Sequence, residues 1–234
     1  LTFFLIPALK LRPVQIPHFS EANHPIVKSL FHQSDRELLT LFQRHPEQGK
    51  YFTAIFCRYS PIVYTLIRHS ARSPVQADYL FALTWRHIYH EMRGLNLNYD
   101  TTPGSASFQN WLINQTAICI NQAELPPVES IHYDLQSAPP PLWCYLEQAL
   151  EQLPPVIRLM VVMAQTFNWS ETRIAAYLQA EGEVISPAQV RIQLQQGYHL
   201  LENALPEDIR AIYLGEEGKL SGESELYAIP ALGD

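Results

Sequence analysis

Ser186-Pro187-Ala188-Gln189 is the local signal that most constrains this chain. Serine is a strong N-cap, proline fits the first helical position, and glutamine three residues after the cap completes a capping box. A helix must therefore begin here and run to about Ala204. Val190, Leu194 and Leu201 fall on one side of it and pack inward. Arg191, Gln195, Gln196 and His199 point largely outward. A second helix precedes it, capped by Ser170, with Ile174, Ala175 and Leu178 on its inner side. The small Ala175 lets the two helices approach closely.

The same punctuation divides the rest of the chain. Eighteen prolines stand at the breaks between Leu/Ala/Gln-rich stretches, which predicts an all-α protein. Residues 1–33 carry Pro7, Pro13, Pro17 and Pro25 and read as an irregular lead-in. Residues 34–122 read as one helical domain of four helices. They start at Ser34, Gly49, Val75 and Phe108, and Gly94 and the polar stretch 96–107 stop the third. Residues 123–141 hold five prolines and no helical period, so they read as a semi-stiff linker. Residues 142–214 form a second small helical domain that ends in the helix pair. The acidic residues 215–234 read as a mobile tail.

Charge separates the two parts. Residues 1–99 carry 11 Lys/Arg against 6 Asp/Glu, and residues 100–234 carry 5 against 17. Such an asymmetry points to two surfaces with different partners. Cys57, Cys119 and Cys144 are far apart and form no CxxC pair, which fits packed thiols in a reducing cytoplasm. No apolar run has the length of a membrane span. The opening LTFFLIPAL has neither a basic segment before it nor a cleavage site after it, so no secretory signal is expected.

Catalytic patterns are absent from the sequence: there is no GxGxxG, P-loop or GxSxG. His87, His90 and Glu91 crowd one helix, but no HExxH and no third ligand accompany them, so no metal site is expected. No cofactor, no small-molecule substrate and no enzymatic activity are expected. The residues alone leave two readings of the helix pair. Arg and Gln on the outer face can bond base edges in a DNA groove, or the pair is an ordinary hairpin with a solvated Gln face.

A family resemblance bears on that choice. Residues 146–178 and 185–205 resemble the C-terminal promoter-binding domain of bacterial RNA polymerase sigma factors, especially the two-domain extracytoplasmic-function type. The matching patterns are Leu153-Pro154 with Arg158; Ser170, Ile174, Ala175 and Leu178; and Ile185, Ser186, Val190, Arg191 and Leu194. Residues 34–42 and 52–67 look like the first two helices of that family's domain 2, and 77–89 like its polymerase-clamp helix. Phe108, Trp111 and Leu112 match its Phe-x-x-Trp-Leu promoter-melting helix.

The resemblance implies an alternative sigma factor whose partners are core RNA polymerase, promoter DNA and an anti-sigma factor. Asp78, Tyr79, Arg86 and His87 would meet polymerase. Trp111, Asn114 and Asn121 would serve the downstream element. Arg173, Ser186, Gln189, Arg191, Ile192, Gln195 and Gln196 would meet the upstream element.

The chain also departs from the family. Ala82 and Leu83 stand where a Gln-Glu pair is usual, Asn114 and Ile118 where Arg and Asn are, and Gln193 and Gln196 where Arg is. The turn at 179–185 exceeds the usual three or four residues. Residues 145–205 hold 3 Arg against 6 Glu, so this part should hold DNA weakly without help. A helix-turn-helix regulator acting without polymerase and a sigma-like protein adaptor are the alternatives.

Overall fold

Serine and proline set the helix starts in the computed structural model, which describes residues 14–96 and 107–215. The beginning of the lead-in, most of the polar stretch after Gly94 and the acidic tail from Glu216 lie outside the described residues. The protein is all-α. Its helices are α1 (Pro25–Lys28), α2 (Asp35–Arg44), α3 (Gly49–Ser70), α4 (Pro74–Met92) and α5 (Phe108–Gln122), then α6 (Pro140–Glu151), α7 (Pro155–Phe167), α8 (Glu171–Ala180), α9 (Pro187–Ala204) and α10 (Glu207–Tyr213).

Ser34, Ser73, Ser107, Ser170 and Ser186 each place a side-chain oxygen on an otherwise orphaned N–H in the first turn of α2, α4, α5, α8 and α9. Pro25, Pro74, Pro140, Pro155 and Pro187 occupy first positions, where a missing N–H costs nothing.

α3 lies at the centre of the first cluster, packed by α1, α2, α4 and α5. Rings fill the α3–α4 seam. Phe52 meets Tyr89 at 4.7 Å between centroids, Phe56 meets Trp85 at 5.0 Å, and Phe42 of α2 meets Tyr89 at 5.5 Å. Each such ring, removed from water, contributes about 1.5–3 kcal/mol. α7, α8 and α9 form a second cluster.

α6 belongs to both clusters. It packs on α3 and α4 as well as α9, and its residues from Pro140 to Leu146 are all buried. Tyr145 extends the aromatic seam, 5.4 Å from Tyr89. Arg86 of α4 donates to Glu147 of α6 through Nε at 2.9 Å and Nη2 at 2.6 Å, a two-point bond of the kind that fixes orientation.

The stretch 123–141, expected as a linker, touches α4 at two points: Gln76 donates to the Pro126 carbonyl at 3.3 Å, and the Tyr79 ring meets Tyr133. Tyr133, Leu135 and Ala138 are buried, and the Tyr133 hydroxyl donates to the Ala138 carbonyl at 2.6 Å. Tyr133 and Leu135 give this Pro-rich stretch enough apolar surface to dock, so its prolines stiffen a strap. α6 then begins two residues before the expected Leu142. The lead-in is also more ordered than expected: a 3-10 turn (Ser20–Asn23) and α1 follow Phe19, whose ring packs on Phe56 and Phe81.

α10 lies beyond the helices that the sequence predicts. It docks back on α3, where Ile209 is buried.

Candidate nucleic-acid interface

α8 and α9 pack across the turn 181–186. Ile174, Ala175 and Leu178 of α8 and Val190, Leu194, Gly197 and Leu201 of α9 are buried. Gly197 sets the depth of the seat: a Cβ there would lie 2.7 Å from Ile157 and 2.9 Å from Val161 of α7.

The long turn is built rather than loose. Gly182 takes φ +94°, a left-handed conformation that a side chain would strain. The N–H of Glu183 returns to the Leu178 carbonyl at 2.9 Å, and the Gln179 side-chain amide donates to the Ile185 carbonyl at 2.6 Å. Val184 protrudes at its tip, 97% exposed.

The outer face of α9 is open. Arg191, Ile192, Gln195, Gln196 and His199 are all exposed. Ser186 and Gln189, expected as DNA contacts, are exposed and bonded to each other. The Gln189 side-chain oxygen accepts from the Ser186 N–H at 2.8 Å and from its hydroxyl at 2.9 Å, while Ser186 Oγ accepts from the Gln189 N–H. Both therefore serve the start of α9.

Arg191 reaches across to α8, where its Nε donates to Glu171 at 3.2 Å. Arg173 lies over the Trp169 ring, 4.1 Å from its centroid. Phe167, Trp169 and Tyr177 form a chain of rings beside it, at 6.0 and 5.8 Å. Sequence reasoning missed Glu171 and Trp169. The Glu171–Arg191 pair is written nowhere locally, because its partners are 20 residues apart. Trp169 does carry a signal: it precedes the cap Ser170, where an apolar residue commonly braces a helix entry.

The downstream set lies on α5. Trp111 is half-buried and stacks on Phe108 with centroids 5.6 Å apart, a supporting position more than an open reading one. Asn114, Ile118 and Asn121 are exposed.

The polymerase set on α4 is engaged internally at every member. Tyr64 donates its hydroxyl to Asp78 at 2.7 Å, Tyr79 meets the Tyr133 ring at 6.2 Å, Arg86 holds Glu147, and His87 Nε2–H donates to Gln115 at 2.8 Å. Burial raises the Asp78 carboxyl above its ordinary range, against the opposing pull of the Tyr64 hydrogen bond.

Burial also pushes the thiols of Cys57, Cys119 and Cys144 upward, which disfavours the thiolate form. Among the described residues no group of three His, Cys, Asp or Glu side chains is placed to hold a metal ion, and no helix is long and apolar enough to cross a membrane.

The chain matches no protein-family model, no curated protein and no solved structure.

Proposed function

We propose that the chain is a transcription initiation factor of the sigma type, in which α8 and α9 form a helix-turn-helix and α9 reads upstream promoter DNA. The observation that carries this reading is the division of α9. Val190, Leu194 and Leu201 are buried against α7 and α8, while Arg191, Ile192, Gln195 and Gln196 face outward from a helix with a fixed start. Side chains of these types bond base edges or meet the thymine methyl in a major groove. The sequence resemblance over residues 34–205 supplies the sigma assignment.

On this reading residues 34–122 provide the contact with core RNA polymerase, and Asn114 and Asn121 on α5 face the opened downstream element. The chain performs no covalent chemistry; binding free energy positions and opens the duplex. The excess of Glu over Arg in residues 145–205 makes polymerase the source of most affinity. Incubation with core polymerase, capture, and transcription of a pool of genomic fragments tests the proposal. Co-capture with transcripts from a restricted set of fragments is the expected result, and absence of co-capture overturns it.

One observation favours a second reading, a helix-turn-helix regulator that works without polymerase. Asp78, Tyr79, Arg86 and His87 all have partners within the chain, so α4 offers little free surface. That reading requires the protein alone to bind a specific duplex tightly.

A further inference from the structure

We infer that Glu171 is a positioning residue that makes Arg191 a reader of guanine in the upstream element. The inference rests on α9 being the reading helix.

A carboxylate beside a DNA-facing helix opposes binding, because it repels phosphate. Its placement therefore asks for a compensating role. Glu171 is the first residue of α8, and Arg191 is in the second turn of α9, near the N-terminal part that a recognition helix presents to base edges.

The bond between them comes from Arg191 Nε, at 3.2 Å. That engages the side edge of the guanidinium. Among the described residues Arg191 makes no other hydrogen bond, so its two terminal nitrogens stay free as a pair. Two parallel N–H donors at the end of the group match the O6 and N7 acceptors of guanine. Adenine offers one acceptor beside a donor and cannot take both. Glu171 keeps 38% of its side chain exposed and Arg191 66%, so the pair is accessible to a groove. In isolation such a pair stabilises the fold little. Its effect is to hold a long, flexible arginine in one direction before DNA arrives, which lowers the ordering cost of reading.

The neighbouring geometry supports the same design. Arg173, at the start of α8, lies over the Trp169 ring. The Ser186–Gln189 box and the Gln179–Ile185 bond fix where α9 begins. Arg173 and Arg191 at this edge are thus both held by protein partners.

The test uses the full chain with core RNA polymerase and a duplex pool randomised across the upstream window, with bound duplexes sequenced. The wild type is expected to enrich guanine at one position. Glu171→Ala should lower that enrichment about tenfold while leaving the other positions unchanged. Glu171→Gln should retain most of it, because the amide oxygen still accepts from Nε. Arg191→Ala should abolish it at the same position. Thermal melting of each variant shows that the fold is intact.

A Glu171→Ala profile identical to wild type, or a uniform rise in affinity for every sequence, would overturn the inference and leave the proposed function standing. A wild-type pool with no enrichment at any position would overturn both.

Discussion

The carboxylate of Asp208 caps helix α3 at Gly49, 159 residues earlier in the chain. The Gly49 N–H donates to it at 3.1 Å and the Lys50 N–H at 2.9 Å. α3 has no side-chain cap of its own, since Gln48 makes none. Closeness requires glycine here: a Cβ on Gly49 would stand 2.2 Å from Ile209. Asp208→Ala should therefore cost about 0.5–2 kcal/mol, the usual range for a lost cap. Asp208→Asn, which can still accept, should cost less. Urea unfolding followed by circular dichroism measures both, and equal midpoints for wild type and Asp208→Ala would refute the cap.

Gly197→Ala poses helix propensity against packing. Alanine is favoured within a helix by about 1 kcal/mol over glycine. Its methyl would press on Ile157 and Val161 of α7, and overpacking costs about 1–3 kcal/mol. Packing should win. A lower melting temperature is expected, with partial recovery in the Gly197→Ala/Ile157→Ala double variant. A stabilised single variant would show that α7 yields easily.

The Arg86–Glu147 pair ties α4 to α6. Glu147 is 13% exposed at its side chain and Arg86 33%. Glu147→Ala should cost about 1–2 kcal/mol, below the figure for a fully buried pair because Arg86 can turn partly to water. A double-mutant cycle with Arg86→Ala isolates the pairwise part, and a coupling near zero would mean that the two charges are independently solvated.

Glu21 gives the protein an acid-side preference. It is 4% exposed, and burial raises its carboxyl above the ordinary 4.5. Its own backbone N–H, the Tyr213 hydroxyl at 3.2 Å and nearby His18 pull the other way with less effect. A raised acid holds its proton in the fold after the unfolded chain has released it. Its contribution is complete below 4.5 and is lost as pH climbs through the raised value. Glu21→Gln should flatten this fall and raise the urea midpoint near neutrality. An unchanged pH profile would place the titration elsewhere.

The elements that read well from the sequence are those whose instructions are local. Ser34, Ser170 and Ser186 each announce a helix within four residues, and the starts of α2, α8 and α9 follow them. α3 and α5 begin at the expected Gly49 and Phe108. What stayed hidden depends on distant partners. α10 has seven residues, too few for a clear period, and it is held by docking on α3. The strap at 123–141 reads as a semi-stiff linker because its prolines outweigh the apolar signal of Tyr133 and Leu135.

The interface divides in the same way. The buried stripe and open face of α9 were legible from spacing alone. The engagement of α4 was not, because Glu147, Tyr133 and Gln115 come from three later segments.

The Asp208 cap also bears on how the molecule is made. A ribosome makes the start of α3 159 residues before it adds Asp208, so the growing chain carries an unfinished helix start across that interval. The Tyr89 ring likewise waits for Tyr145 of α6 to cover it. Early segments usually settle as they emerge. Here the last described helix completes the first long one, so the start of α3 is finished only after the chain has been made past Asp208.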